Sequence, residues 1–475
     1  MRRDERGLGE PGAVEGLRLL ALVSAVAVGA RVMLAAATDL SYDEAYYWVW
    51  SYRFAGAYYD NTPLVAWVLA GTRAVLGDGA LAVRGLAIAA GLATAAAAWA
   101  LARELWGDAR AGVWAALLVA TSPGSAIAGT LLSPDSLLQV FWLLALVTLW
   151  RAFARPEALG RWALAGLMAG LALLSKYTAG LLLPGVLAFA LVDRDARRAL
   201  ARPGPYLGGL VALAVFAPVL VWNIRHDWAG IAFQTGRYQP DRGVLVVRLL
   251  DFIGGQWLFA GPVLFLIALG AAFAFARVDA RHRFLACTAA PVLLFFLVSA
   301  FRTYSHPNWP GFVWPALAAG VAGVATGRLG AGRRAAVLSG AVVCIVLALH
   351  AMRPLFPDPM AHRVHGWTEL AAAVRPLDDG GMIYSDSYRI GSEIAFALRA
   401  PDRVWVARRA THRLTAWDFW ERPPSGPAVL FLSQNSSPPP DFSSGRYRTM
   451  ERLPDIVTHL RGVRIRTVRV WRLHE

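Results

Sequence analysis

A polytopic α-helical membrane protein with a small α/β domain at its C-terminal end is the fold class this sequence predicts, on three observations. Hydrophobic residues make up 57% of the 475 and the mean hydropathy is +0.45, more apolar mass than a soluble core of this size needs. Apolar runs long enough to cross a hydrocarbon layer of ~30 Å recur from residue 16 to about 352. Past Met352 the character changes to short alternating runs mixed with charges.

Eleven runs are read as transmembrane helices, and ten to thirteen is the range because several are short or closely spaced. They cover 16–37, 80–101, 112–128, 135–150, 162–174, 179–192, 205–222, 257–276, 284–300, 310–326 and 336–352. The first is read as an anchor, because its apolar stretch is too long for a cleaved signal peptide and ten further runs follow. Arginines cluster in alternate short loops, at 103 and 110, 151–161, 194–202, 277–283 and 328–334, and again in the N-terminal segment. The positive-inside rule makes these cytoplasmic, so the +15 net charge reports topology rather than nucleic-acid binding. The opposite loops face outward: 38–79, the SPD turn before the fourth run, 223–256, FRTYSHPNWP, and everything after 353. Cys287 and Cys344 fall inside apolar runs and read as small core residues.

Beyond a linker with Pro354, Pro357 and Pro359, strand-like runs appear at 382–386, 403–408, 428–433 and 463–473. Helical spacing appears at 367–374 and 388–398. SSPPP (436–440) reads as a loop. The division expected is a membrane domain over 1–352, with the acidic motif in its 38–79 loop, and an outward α/β domain over 353–475.

That motif, DLSYDEAYYW (39–48), places a carboxylate pair at the rim of the first membrane helix. A carboxylate there must find water, a cation or a reacting hydroxyl, because burying it alone costs several kcal/mol, about 2–7 even for a neutral polar group. Ser41 could equally cap a helix whose first turn favours acids. If the segment is helical, Asp43 and Glu44 point ~100° apart and cannot both face one reacting atom. Asp135, in SPDS, stands at another outward helix start, where the helix dipole favours an acid in any case. Of the 47 basic residues only Lys176 is lysine. An ammonium offers a compact charge where arginine offers a planar fork, which suits a tight phosphate site or carboxylate pair; snorkelling to the interface is the plainer reading.

The segments 39–67, 131–142, 170–185 and 216–237, with the NWP of 308–310, resemble bacterial family-39 glycosyltransferases. These are GT-C membrane enzymes akin to dolichyl-phosphate-mannose protein mannosyltransferases and to the aminoarabinose transferase of lipid A. The likeness runs from about 39 to 326 and more weakly through the tail. It implies a GT-C fold and transfer of a sugar from a polyprenyl-phosphate carrier to an acceptor hydroxyl of lipid A, another envelope glycan or a protein. The setting it implies is the periplasmic face of a bacterial inner membrane, with the N-terminus cytoplasmic. Asp43 is then the general base, with Glu44 orienting or pairing and Asp135 facing the site. Lys176, Arg225, His226 and Arg237 are expected to hold the undecaprenyl phosphate. Tyr46, Tyr47, Asp60, Asn61, His306 and Asn308 are expected to contact substrate. Related sequences carry a histidine and two prolines where Asn61, Thr62 and Pro63 follow Asp60 here, which puts a metal at that place in doubt. The carboxylates could still hold a divalent cation, though no spacing demands one.

Two other classes fit parts of the pattern. A proton-coupled transporter or flippase would carry its ionisable groups near the bilayer midplane in broken helices with repeat symmetry, whereas here they lie at outward rims without a repeat. A non-catalytic scaffold would keep its phenotype when Asp43 becomes asparagine.

Overall fold

The computed structural model describes residues 11–236, 244–275, 279–323, 328–356, 358–407, 413–420, 428–434 and 449–474. Among them, six helices are long and apolar enough to cross a membrane: Leu17–Ala37, Ala80–Trp106, Pro134–Phe153, Pro203–Arg225, Ala280–Arg302 and Gly330–Met352. A bent pair, Leu245–Ala260 and Pro262–Ala271, makes a seventh if counted as one span. Shorter apolar helices cover Leu64–Leu76, Ala109–Ala120, Leu159–Ser175, Tyr177–Val192 and Gly311–Gly323.

Three boundaries differ from those read in the sequence. The 112–128 run is divided between Ala109–Ala120 and Pro123–Ala128, since Pro123 has no amide hydrogen to continue the first helix and instead starts the second. The 223–256 segment contains helices Ala229–Gly236 and Leu245–Ala260. Arg248 and Asp251 interrupt the apolar run there without interrupting the helix: Arg248 is buried and donates to the Phe301 and Arg302 carbonyls at 3.0 and 3.4 Å. The apolar run that follows turns by 103° at Gly261, whose φ of +99° suits glycine, and Pro262 opens the next helix.

The chain forms two compact units. One comprises the N-terminal helix up to Arg31, Asn61–Leu64 and Ala87–Leu347. Its core gathers Leu138, Trp142, Leu146, Phe284, Phe296 and Phe312, all essentially closed to solvent. Helix Leu159–Ser175 crosses Pro203–Arg225 along small residues: a Cβ on Gly166 would lie 2.1 Å from the Gly208 carbonyl oxygen, and one on Gly170 would lie 2.7 Å from Val215 Cβ. Close backbone approach of this kind replaces the hydrophobic driving force that lipid does not supply.

The other unit comprises Val32–Asp60, Val65–Leu86 and the chain from Ala348 on. Its sheet has strands β1 (Met382–Ser385), β2 (Val404–Val406), β3 (Ala428–Ser433), β4 (Thr449–Leu460) and β5 (Val463–His474), in the order β2-β1-β3-β5-β4. β1 pairs parallel with β2 and β3, while β5 runs antiparallel to β3 and β4. Helix Tyr388–Leu398 makes the crossover from β1 to β2. The β4–β5 hairpin turns through Arg461 and Gly462, both at positive φ (54° and 79°), the two-residue loop whose twist matches that of paired strands. Helix Tyr42–Trp50 packs on Tyr388–Leu398, so the acidic motif belongs to the same compact unit as the tail.

Candidate active site

Helix Tyr42–Trp50 starts at Ser41, whose hydroxyl accepts from Glu44 N–H at 3.4 Å while a Glu44 carboxylate oxygen accepts from Ser41 N–H at 2.9 Å. This reciprocal box consumes one side of Glu44. The other side, Oε1, sits 2.7 Å from Arg84 Nε in an ion pair closed to solvent. Arg84 also donates to the Asp39 carbonyl at 2.9 Å and to the Thr38 hydroxyl at 3.3 Å. Glu44 is thus engaged at both carboxylate oxygens, by its own helix cap and by Arg84. Asp39 reaches the tail: its carboxylate accepts from Trp367 N–H (2.8 Å), Thr368 N–H (3.3 Å) and the Thr368 hydroxyl (2.5 Å), capping helix Trp367–Val374.

Asp43, one residue before Glu44, points elsewhere. Arg363 Nη1 stands 3.3 Å from its Oδ2, and the Tyr388 hydroxyl donates to its Oδ1 at 3.4 Å. Arg363 and Arg389 both lie over the Tyr42 ring, at 5.0 and 4.7 Å from its centroid. Although 30% of the Asp43 side chain remains open, burial among these groups raises its pKa from the ordinary carboxylate value. Arg363 first, then Arg389, Tyr388 and Arg413, pull against that rise. A carboxylate with a raised pKa, met at each oxygen by one donor at 3.3–3.4 Å and still partly open, is equipped to accept a proton.

Tyr46 is enclosed. Its hydroxyl donates to Asp60 Oδ2 at 2.6 Å and accepts from Ala416 N–H at 2.7 Å, and its ring stacks on Trp417 at 4.9 Å. Burial, with Asp60 beside it, pushes its pKa well above that of an ordinary phenol, so it stays a donor. Asp60 is further held by Arg413. Tyr46 and Asp60, expected to contact substrate, tie the first-loop segment to the 413–417 segment. Tyr47 stays half-buried, packing edgewise on Trp50 at 5.1 Å.

A second cluster lies in the helical unit. The backbone opens to an extended conformation at Lys176 (φ −163°, ψ 139°), between helix Leu159–Ser175 and the 3₁₀ turn Tyr177–Leu181. Its ammonium meets Asp135 Oδ1 at 2.8 Å, and Asn308 donates to Asp135 Oδ2 at 3.4 Å. Both charged side chains are 14% exposed. Asp135 sits in the first turn of Pro134–Phe153, behind the Ser133 cap. Three separate motifs, SPD, SKY and NWP, therefore meet at one point. Gln256 secures the third of them, donating to the Pro307 carbonyl at 2.6 Å and accepting from Trp314 Nε1 at 3.0 Å.

Arg225 is exposed at the end of Pro203–Arg225. His226 stacks on Trp222 at 4.2 Å, with Nδ1 2.7 Å from the Trp222 carbonyl oxygen. Asn61 accepts from Thr62 N–H at 3.0 Å. His306 is exposed, beside Tyr304 and Trp309. Arg237 lies outside the described residues, as does SSPPP. Among the described residues no group of three or more His, Cys, Asp or Glu could hold a metal ion. Sequence reasoning did not single out Arg363, Tyr388, Arg389 or Arg413; the weaker family likeness through the tail was the one signal that pointed toward that part of the chain.

Residues 60–222 match the model of the family described as dolichyl-phosphate-mannose-protein mannosyltransferase. The lipid A galacturonosyltransferase RgtD of Rhizobium johnstonii is 30% identical over 277 residues, 58% of each chain. An undecaprenyl phosphate-alpha-4-amino-4-deoxy-L-arabinose arabinosyl transferase of Pseudomonas aeruginosa is 35% identical over 185 residues, 37% of this chain and 31% of that one. The matched part of the chain thus spans 58% and 31% of the length of these two curated relatives. The crystal structure of ArnT from Cupriavidus metallidurans bound to undecaprenyl phosphate superposes with a TM-score of 0.67 at 16% identity, covering 95% of this chain and 98% of that one. The Archaeoglobus fulgidus oligosaccharyltransferase follows at 0.55 and 14% identity, covering 81% and 64%. The chain thus resembles these proteins in sequence over part of their length and shares its fold with the ArnT structure: a multi-pass helical membrane protein with a small sheet domain at its C-terminal end.

Proposed function

We propose that the protein transfers a sugar from a polyprenyl-phosphate donor to an acceptor hydroxyl at the periplasmic face of a bacterial inner membrane, with inversion. The relatives named as lipid A and undecaprenyl-phosphate glycosyltransferases support the reaction class and an envelope glycolipid as acceptor. The arginine distribution supports a cytoplasmic N-terminus and a periplasmic C-terminal domain.

In this reading the acceptor oxygen attacks the anomeric carbon as its proton passes to Asp43. The bond from that carbon to the phosphate oxygen breaks, and the electron pair leaves with the polyprenyl phosphate. Lys176, held by Asp135, whose other oxygen accepts from Asn308, is the compact cation for that phosphate, with Arg225, His226 and Arg237 as further basic groups of the outward side. The observation that carries the reading is Asp43 itself: partly open, raised in pKa, and separated in role from the buried Glu44.

Asp43→Asn should cut transfer by about 100- to 10,000-fold, the usual contribution of a general base. Mass spectrometry of envelope glycolipids from a deletion strain complemented with wild type or variant reads it directly. Full restoration of the missing sugar by the variant would refute Asp43 as base. Retention of the donor's anomeric configuration in the product would refute the single displacement.

A further inference from the structure

Helix Gly330–Met352 has 23 residues, which at 1.5 Å each is about 34 Å against the ~30 Å of a hydrocarbon layer. Its Met352 end therefore reaches the headgroup level. Two contacts stitch the tail to that end: His365 Nε2 lies 2.7 Å from the Ala351 carbonyl oxygen, and Arg461 donates to the Pro354 carbonyl at 3.1 Å. Arg466 ties β5 to the same linker, donating to the His362 carbonyl at 2.7 Å with its guanidinium over the Trp367 ring. The tip of the β4–β5 hairpin is thus held beside the end of a membrane span.

Linker and tip both carry apolar side chains into the open. Leu355 is 78% exposed, Phe356 59% and Val463 49%, and the arginines that flank them, Arg353, Arg461 and Arg464, are exposed as well. Among the described residues none of these three arginines forms an ion pair. Asp358, the acid that follows Arg353 in the chain, is occupied: it lies 3.4 Å from His350 Nε2 and accepts from Ala361 N–H at 2.7 Å. Exposed apolar side chains among unpaired arginines, where hydrocarbon gives way to headgroups, match a lipid interface in both polarity and charge. Guanidinium forks take phosphate oxygens in pairs.

We propose that the hairpin tip and the 353–356 linker form a membrane foot for the C-terminal domain. Leu355, Phe356 and Val463 enter the bilayer surface, and Arg353, Arg461 and Arg464 bind the phosphates of anionic phospholipids. The foot stands independently of the glycosyl-transfer reading, since it uses none of the groups assigned to that reaction.

The test places the full-length protein in phosphatidylcholine nanodiscs with or without phosphatidylglycerol and reads hydrogen exchange at the amides of Leu355, Phe356 and residues 461–464. An arginine near an anionic surface gains about fivefold in binding, so exchange should slow at least ~5-fold with the anionic lipid and recover at high salt. Arg353→Gln combined with Arg464→Gln should abolish the difference between the two lipids; neither side chain makes a hydrogen bond among the described residues, so the hairpin keeps its own contacts. Leu355→Ser combined with Phe356→Ser should speed exchange in both lipids. Equal exchange in the two lipids, or a difference that survives the double arginine variant, would overturn the foot. Protection in detergent that tracks the mass of a dimer would also overturn it, assigning the face to a second copy.

Discussion

Adjacent carboxylates at 43 and 44 have opposite fates, and a third buried acid extends the contrast. Glu393, on helix Tyr388–Leu398, is 4% exposed and its Oε1 has no hydrogen-bond partner among the described residues. Burial first, then the charges of Asp39 and Glu44, hold its pKa well above the ordinary value against the pull of Arg466 and Arg84. A group raised in this way contributes stability that is fully present below its unfolded pKa and is lost as pH climbs through the folded one. Glutamine cannot ionise, so the melting temperature of wild type should fall relative to Glu393→Gln as pH rises past the ordinary glutamate pKa; parallel curves would show a glutamate already charged in the fold. Asp378 is the opposite case, since Arg403 grips both its oxygens at 2.9 and 3.0 Å and lowers its pKa. Its contribution is present above the unfolded pKa and disappears as pH falls through the folded one. Lys176→Arg should fail to restore what Lys176→Ala loses, at least ~10-fold in transfer, because a planar fork does not fit the 2.8 Å ammonium contact with Asp135. Equal activity of the arginine variant would reduce Lys176 to any nearby cation. Lys176 and Asp43 were legible because each breaks a local pattern: a lone lysine among arginines, and an acid at a membrane rim. Arg363 and Arg389 were not legible, because they lie some three hundred positions away in a chain where arginine is the default cation.

Elements were legible where period and length agreed. The runs at 135–150 and 205–222 became Pro134–Phe153 and Pro203–Arg225, and the four strand-like runs of the tail became β1, β2, β3 and β5. β4 escaped because TMERLPDIVTHL carries Pro454 and scattered charges. The structure tolerates these on an edge strand, where the register shifts between Leu453 and Ile456. The glycine seam between Leu159–Ser175 and Pro203–Arg225 allows a prediction of its own. Gly166→Leu should destabilise the protein by roughly 1–3 kcal/mol or more, as overpacking does, because its first side-chain atom already collides with the Gly208 carbonyl. Resistance to SDS-induced unfolding measures this, with Gly209→Leu as the comparison, since nothing lies within 4 Å of a Cβ there.

For the molecule as a whole, the expected division at 352 describes where the apolar runs stop, while the compact unit that contains the tail also takes in Val32–Asp60 and Val65–Leu86. Hydropathy marks the first kind of boundary; the second depends on long-range pairs such as Asp39 with Thr368, which leave no periodic trace. Asp39→Ala should cost about 0.5–2 kcal/mol, as loss of a helix cap does, and should make the tail more susceptible to limited protease while the membrane helices stay protected. The Asp39 contact also has a bearing on how the molecule is made. The acidic segment leaves the ribosome long before Arg363 and Tyr388 do, so a chain cut short ahead of them holds Asp43 without the two neighbours that its carboxylate meets in the fold.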